Sequence, residues 1–334
     1  MNILIVGAGL SGVVIARELA ESGMNIRVID KREHLGGNCY DEVVDKVLVH
    51  RYGPHIFHTS KESVVNWIHR YSEWIPYMHK VKVLLEDGRY ATLPVNRETL
   101  AMIGDKESVL EIIFRRYTSK MCGGGVSVSP KILNRVPIRE DLNEYYFPDD
   151  TFQAMPKNGY TEFIAEVLRH PKIHLDLNSA FSYDLEKKYD FVFNSMPIDE
   201  YFNYVLGRLP YRSVKFHRFT IPFPRMLPVA TVNFTHTGPY TRITEWKNFP
   251  NSGFDPWSTT ITIEEPCDYS ENNWEPYYPI KDLNGNNDQL YKKYKTMVSS
   301  KMKFIGRCGM YSYLDMDDAI DSSLHIVKEF IGKK

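Results

Sequence analysis

Ile3-Leu4-Ile5-Val6-Gly7-Ala8-Gly9-Leu10-Ser11-Gly12 is the stretch that decides the fold. Its four apolar residues make a short buried strand, and the glycines close it. A helical pattern then runs to about Ser22, a second apolar run comes at Ile26-Arg27-Val28-Ile29, and Asp30 ends it. Strand, glycine turn, helix, strand and acid form the βαβ unit that holds a dinucleotide. Glycines let backbone amides approach a pyrophosphate, the helix N-terminus favours its charge, and the acid takes a ribose hydroxyl. A G-x-G-x-x-G alone is a weak signal. A strand before it, a helix after it and an acid 18 residues beyond Gly12 make it specific. Gly7, Gly9, Ser11, Gly12 and Asp30 are therefore candidate cofactor residues.

The residues after Asp30 narrow the cofactor. Lys31-Arg32-Glu33-His34-Leu35-Gly36-Gly37-Asn38 places basic residues and a glycine pair directly beyond the acid. A nicotinamide enzyme would usually continue with an ordinary helix here. A second glycine turn lets the backbone wrap the far side of a larger dinucleotide, as in flavoproteins of the glutathione-reductase-like superfamily, so FAD is the expected cofactor. The plain alternative is a surface β-turn with a chance Gly-Gly. Lys31, Arg32, Gly37 and Asn38 join the candidate set.

The motif Gly36-Gly37-Asn38-Cys39-Tyr40-Asp41-Glu42, with Val49-His50-Arg51-Tyr52-Gly53-Pro54-His55-Ile56-Phe57-His58-Thr59 after it, resembles UDP-galactopyranose mutases of the bacterial type. Arg135-Val136-Pro137-Ile138-Arg139, Gly159-Tyr160-Thr161, Pro239-Tyr240-Thr241-Arg242-Ile243, Glu275-Pro276-Tyr277-Tyr278-Pro279 and Tyr311-Ser312-Tyr313-Leu314-Asp315-Met316 continue the likeness in the family's order along nearly the whole chain. The resemblance implies an isomerase that interconverts UDP-galactopyranose and UDP-galactofuranose by ring contraction, supplying galactofuranose for cell-surface polysaccharide. In that family reduced FAD is required, its N5 forms an adduct with the sugar, and no net redox occurs. The cofactor then carries the covalent step and the protein needs no nucleophilic Ser or Cys.

The same resemblance assigns residues. Arg135 and Arg242 match the two arginines that hold the departing diphosphate, where a planar guanidinium suits phosphate oxygens better than lysine does. Tyr117 matches a uracil-stacking tyrosine, Tyr146 and Phe147 a pair beside the nucleotide, and Tyr278 and Tyr313 tyrosines that reach the diphosphate. His55 and His58 match histidines against the flavin ring, the second being tied to N5 chemistry. Arg307 matches a basic residue at the FAD pyrophosphate, and Met316 belongs to the same cofactor wall. Asp315 matches an acid near nucleotide and flavin, and reads equally well as a cap on the last helix.

Two departures stand out. The family reads Tyr-Thr-x-Lys-x-Trp-Gly where this chain has Tyr117-Thr118-Ser119-Lys120-Met121-Cys122-Gly123, so Cys122 replaces a substrate-facing tryptophan. The lost indole removes contact surface from the sugar subsite. The helical insert before Tyr117 is also much shorter than the family's, with Ile113 and Phe114 where an aromatic is expected. The insert commonly carries the dimer contact, so the resemblance leaves the oligomeric state open.

Composition bounds the rest. The 334 residues exceed a typical single domain, and 41 Lys plus Arg against 42 Asp plus Glu give a formal charge of −1. No global field draws such a chain to nucleic acid or an anionic membrane, so anion binding rests on local arginines. Cys39, Cys122, Cys267 and Cys308 are far apart and form no C-x-x-C, arguing against zinc or a disulfide framework; no metal is expected. The longest quasi-apolar run, Ile3 to Ala16, is too short to span a bilayer, and a strand beginning at residue 3 leaves no room for a leader. A cytoplasmic protein acting on a UDP-sugar, without nucleic-acid or membrane partners, is the expectation.

The expected architecture is α/β: a discontinuous Rossmann-like FAD-binding domain from residues 1–75, 155–200 and 301–334, with a short helical insert over 96–145 and an antiparallel sheet domain from 76–95 and 201–300. Glu86-Asp87-Gly88-Arg89 reads as a hairpin turn, Asn96 to about Tyr117 as helical, and 159–168 as a helix. Asp190–Asn194 reads as a strand returning to the first sheet, Leu290–Ser300 as a helix, and Met316–Ile331 as the final helix. Gly123-Gly124-Gly125 predicts a hinged loop from Cys122 to about Val136 that closes on a diphosphate through Arg135.

Three functions compete at this point: the mutase, or a mutase for a related sugar such as UDP-N-acetylgalactosamine or a dTDP-6-deoxyhexose; an amine-oxidase-like flavin oxidoreductase; and a non-catalytic nucleotide binder. In the second, the paired arginines and the Pro-Tyr-Tyr-Pro block would lack a purpose.

Overall fold

The computed structural model describes residues 1–123, 138–253, 255–282 and 284–332. Arg135, Gly124, Gly125 and most of the expected closing loop lie outside the described residues.

The opening stretch forms strand Asn2–Val6, and it is central. Asn25–Ile29 lies on one side of it and Phe191–Asn194 on the other, flanked by Ile173–Asp176 and Met302–Phe304 to complete a five-stranded parallel sheet. Side chains of the central strand alternate between faces. Ile3 and Ile5 enter the core beneath helix Leu10–Glu21, while Leu4 and Val6 pack with Val192, Ile198, Tyr294 and Tyr311 on the opposite face. Both faces are covered, which is why the strand reads as a continuous apolar run rather than an alternating one. Helices Tyr160–Leu168 and Met316–Gly332 pack beside Leu10–Glu21. The carboxyl ends of four of these strands, at Gly7, Asp30, Ser195 and Ile305, share one edge of the sheet, where open α/β sheets bind ligands.

A seven-stranded sheet packs alongside, in the order Tyr278–Pro279, Tyr211–Ile221, Thr259–Asp268, Arg242–Glu245, Thr231–Phe234, Val81–Leu84, Tyr90–Leu93. Its longest pairing runs antiparallel from Arg212 opposite Asp268 to Ile221 opposite Thr259. One junction differs from the expected antiparallel pattern: Thr231–Phe234 runs parallel to Val81–Leu84. Those strands come from distant segments, so no hairpin dictates their direction. The turn at 86–89 forms as read, with Gly88 at φ +86° and its N–H donating to the Leu85 carbonyl at 3.0 Å.

The helical region after Asn96 is not one helix. It runs as Arg97–Ile103, Lys106–Val109, a wider π turn over Leu110–Arg115, and Arg116–Cys122. Gly104 takes φ +122°, which ends the first piece, and the Asp105 carboxylate restarts the helix by accepting the Ser108 N–H at 2.8 Å. The helix expected from Leu290 starts earlier, spanning Asn286–Thr296. The Asp282 carboxylate accepts the N–H groups of Asn286 and Asn287, both at 2.9 Å, so a cap four residues upstream overrides weak helix formers. The hairpin Asp41–Val44 with Val47–His50, and the small sheet of Phe57–Thr59, Phe152–Pro156 and Trp74–Pro76, were not anticipated. Their strands are too short to carry a period.

Candidate functional site

The strand ends open into a cleft of about 320 Å³, and the first helix aims its N-terminus at it. That N-terminus has no side-chain cap and no acid in its first turn, so the amides at Leu10, Ser11 and Gly12 remain available to an anion. The glycines are needed for close approach. A Cβ at Gly12 would meet the Gly7 carbonyl oxygen at 2.0 Å, and one at Gly37 would meet the Gly9 Cα at 3.0 Å. The two glycine turns therefore touch, with Gly9 bridged to Gly36. Asp30 is pinned by two amides, its Oδ2 accepting from Ala8 N–H at 2.8 Å and its Oδ1 from Arg32 N–H at 2.9 Å. Its remaining lone pairs serve the cleft. This uncapped, glycine-lined cradle beside an acid fits a dinucleotide.

Gly7, Gly9, Ser11, Gly12, Asp30, Lys31, Arg32, Gly37 and Asn38 all line this cleft. Arg32 is committed to protein partners: it pairs with Glu275, donates to Asn38 Oδ1 at 3.1 Å and lies over the Tyr52 ring. Lys31 is more exposed. Arg307 donates to the Leu314 carbonyl at 2.8 Å and has no carboxylate ion pair among the described residues.

A second cavity, of about 570 Å³, lies against the seven-stranded sheet at strands Val81–Leu84, Thr231–Phe234 and Arg242–Glu245. Its walls include His58, Tyr117, Tyr146, Phe147, Arg242, Tyr278 and Tyr313. The two spaces share a wall made by His55, Tyr277, Arg307, Asp315 and Met316. Thus all the residues assigned by sequence that fall among the described residues line one cavity or the other; Arg135 does not fall among them.

Arg242 sits on the central part of the second sheet with Glu264 as its register partner. The Arg242 Nε lies 2.6 Å from Glu264 Oε1, out of line for a hydrogen bond, and Glu264 is 3% exposed. Burial favours the neutral form of each group. The neighbouring carboxylate nonetheless holds the guanidinium firmly charged, while burial raises the Glu264 pKa against the pull of Arg242. Gly53, at φ +87°, brings the Gly-Pro-His turn onto this pair; a Cβ there would meet Glu264 Oε1 at 3.1 Å.

The histidines differ. His55 Nδ1–H donates to the Gly53 carbonyl at 2.8 Å, and burial pulls its pKa down to about 3, so the ring is neutral and Nε2 is an acceptor. His58 Nδ1–H donates to Asp150 Oδ2 at 2.7 Å, and its ring stacks on Phe147 with centroids 3.5 Å apart. Asp315 closes the shared wall. Burial raises its pKa, opposed by His58 and Arg307, and its backbone carbonyl accepts the Ala319 N–H at 2.9 Å. The residue thus faces the cavities and also starts the last helix.

The helix carrying Tyr117 is anchored at its C-terminus. Arg212 Nε donates to the Met121 carbonyl at 3.0 Å and its Nη2 to that of Lys120 at 3.1 Å; the Tyr278 hydroxyl donates to the Met121 carbonyl at 2.5 Å. Cys122 ends this helix, and burial raises its thiol pKa, so it stays protonated. Sequence reasoning missed His79, Asp150, Tyr277 and Arg212. His79 is buried in the second cavity wall, with its pKa pulled down to about 3 by burial, and its place two residues before strand Val81–Leu84 gave no chemical signal. Asp150 is recognisable only through its pairing with a residue 92 positions away.

With this geometry in place, the comparisons with known proteins agree. A family model described as UDP-galactopyranose mutase matches residues 112–313, and one described as an NAD(P)-binding Rossmann-like domain matches residues 5–71. The chain is 36% identical over 374 residues to a probable UDP-galactopyranose mutase of Klebsiella pneumoniae, covering 99% of this chain and 95% of that one. It is 32% identical to a UDP-galactopyranose mutase of Mycoplasma genitalium (99% and 95% covered) and 32% identical to a dTDP-fucopyranose mutase of Escherichia coli (99% and 98% covered). A crystal structure of reduced UDP-galactopyranose mutase is similar at a TM-score of 0.77 and 15% identity, covering 100% of this chain and 96% of that one. A putrescine oxidase variant reaches only 0.59 at 11% identity, covering 100% and 99%, a likeness of fold alone.

Proposed function

The chain belongs to the UDP-galactopyranose mutase family, and from that premise we propose how its own residues carry the family's reaction. It is an isomerase that interconverts UDP-galactopyranose and UDP-galactofuranose. The observation that carries the assignment is the pair of cavities sharing one wall, a dinucleotide cradle on one side and Arg242 with its aromatic ring of residues on the other. Reduced FAD, held by the glycine cradle and the shared wall, would supply a nucleophilic nitrogen, and no reductant would be consumed per turnover.

The protein's part is to hold, orient and exclude water. The amides at Leu10–Gly12 take the cofactor pyrophosphate, Asp30 a ribose hydroxyl, and Arg307, without an acid partner among the described residues, neutralises charge at the shared wall. Arg242 binds the diphosphate as it leaves and returns. Glu264 keeps its guanidinium oriented, and the pair leaves one outward-facing cation for phosphate oxygens. Arg135 is assigned the same work by resemblance. Tyr117, Tyr146 and Phe147 stack on the uracil side, while Tyr278 and Tyr313 reach the diphosphate. His55, neutral, offers only a lone pair, and His58, held by Asp150, has Nε2 as its remaining ring nitrogen. The proposal includes action in the cytoplasm on a soluble nucleotide sugar.

The test is incubation of dithionite-reduced protein with UDP-galactofuranose, with the products resolved by chromatography. Conversion without net redox is the expected result; stoichiometric reduction of an acceptor, or inertness, overturns the reading. The equal 32% identity to a dTDP-fucopyranose mutase favours one second reading, a dTDP-6-deoxyhexose substrate. Parallel assays with dTDP-fucofuranose decide between them.

A further inference from the structure

The five-stranded sheet ends in an edge that lines neither cavity. Strand Met302–Phe304 pairs with Phe191–Asn194 on one side and, among the described residues, with no strand on the other. The Lys301 carbonyl accepts the Val192 N–H at 2.9 Å, and the Ile305 N–H donates to the Asn194 carbonyl at 2.9 Å. Lys301, Lys303 and Ile305 therefore turn their backbone groups into the sheet, and by strand alternation Met302 and Phe304 turn theirs outward. The Met302 N–H donates to the Ser299 carbonyl at 3.1 Å. The Met302 carbonyl and both backbone groups of Phe304 have no protein partner among the described residues.

That edge floors a third cleft, of about 500 Å³, whose lining residues line neither of the others. Tyr291 and Val298 wall it on the face of the sheet where Leu4 and Val6 pack, and Ile326 of the last helix walls it on the face of Ile3 and Ile5. The charges around it are one-sided. Residues 290–304 hold five lysines, Lys292, Lys293, Lys295, Lys301 and Lys303, and no acid. Of the five, only Lys303 forms an ion pair among the described residues, with Glu329 at 3.0 Å, and His325 shares that acid at 3.2 Å. The other acids of the two walling helices, Asn286–Thr296 and Met316–Gly332, are engaged elsewhere. Asp288 pairs with Lys281, and Asp317, Asp318 and Asp321 gather on Lys61. Glu329 is thus the one acid that lines the cleft among the described residues, facing Lys295, Lys303 and His325.

We propose that this cleft takes an extended acidic segment of a partner protein, which adds as a sixth strand to Met302–Phe304 with its carboxylates against Lys295, Lys301 and Lys303. An added strand supplies alternating donors and acceptors at the spacing of the outward backbone groups, and its side chains enter the walls on either face. Lysines on a short edge repel a like strand and attract an acidic one. A second copy of the chain pairing through the same edge would set lysine against lysine, which is destabilising. The occupant enters neither the cofactor cleft nor the substrate cavity, so docking leaves both accessible.

The test uses purified holoenzyme and a fluorescein-labelled, amidated peptide of three Glu-Val repeats, read by fluorescence anisotropy. Amide hydrogen exchange of the fragment containing Phe304 is followed alongside. Saturable binding that weakens with salt, and slower exchange in that fragment, are expected. Lys295→Glu with Lys301→Glu should weaken binding about tenfold or more, with FAD content and mutase turnover unchanged. The same peptide N-methylated throughout keeps its charges but cannot approach as a strand, and it should also lose about tenfold or more. No saturable binding, equal affinity of the N-methylated peptide, equal affinity of the double variant, or binding without slower exchange would overturn the proposal. Turnover on the nucleotide sugar is read separately, so none of these outcomes bears on the mutase assignment.

Discussion

Arg242→Ala tests both the chemistry and the packing around the second cavity. The substitution strips a buried carboxylate of its counter-charge: Glu264 is 3% exposed, and Arg242 Nε lies 2.6 Å from it. Breaking a buried pair by removing one partner costs about 3–5 kcal/mol. Arg242 itself is 27% exposed, so water reaches the site and a value discounted to just below that range, about 2–3 kcal/mol, is expected. At about 2.1 cal/mol/K per residue over 334 residues, 1 kcal/mol moves the melting temperature by about 1.4 °C, so the loss should be about 3–4 °C. Turnover should fall by about 10²–10³, the usual loss when a preorganised charge at a developing anion is removed. The double variant Arg242→Ala/Glu264→Gln removes the stranded charge, so it should recover most of the melting temperature and none of the turnover. The deficit should also depend on pH. Glu264 already has a raised pKa in the folded protein, and without Arg242 it rises further. A carboxyl with a raised folded-state pKa destabilises the fold above that pKa and ceases to do so as pH falls through it, so the single variant's deficit should shrink on acidification. Thermal melts monitored by flavin fluorescence, with chromatographic turnover, supply both readings. A double variant no more stable than the single one, or normal turnover in Arg242→Ala, would refute the reasoning.

Gly9→Val should abolish FAD uptake, because a Cβ at Gly9 already lies 3.7 Å from the Gly37 Cα and branching fills the gap between the glycine turns; absorbance of the purified, FAD-supplemented protein checks this. Asp150→Ala frees the His58 ring from its 2.7 Å hydrogen bond and should lower turnover about tenfold or more with FAD content unchanged, measured side by side on the same preparation. Cys122 itself lines neither cavity, though its neighbour Met121 lines the second; Cys122→Trp returns the indole that the resemblance assigns to this position and should tighten UDP-galactose binding, by titration of the reduced enzyme, by about tenfold, whereas weaker binding would mean that position 122 does not face substrate.

The βαβ unit was legible because its demands are local. A Cβ at Gly12 would strike the carbonyl oxygen of Gly7, five residues earlier, so the residue type alone reports the geometry. The cavity aromatics were not legible in that way: Tyr117, Tyr146 and Tyr278 look like core residues until a family pattern marks them. The structure places them around one cavity, but that placement depends on pairings such as Thr231–Phe234 with Val81–Leu84, which no local pattern encodes. His79 and Asp150 escaped notice for the same reason, since each gains its setting from residues distant in sequence. The break at Gly104 was missed because apolar spacing continues across it, and only the positive φ separates the two helical pieces.

The wall shared by the two cavities has a consequence for how the enzyme is made. Arg307, Asp315 and Met316 come from the short helix Gly306–Gly309 and the start of the last helix, synthesised some 280 residues after the glycine cradle, and the strand Met302–Phe304 just before them adds at the sheet's outer edge. A nascent chain can form the cradle early on the ribosome, but it has no floor on which to retain a flavin until residue 316 has emerged. The proposed flavin is therefore retained only once that late segment has folded back against the cradle.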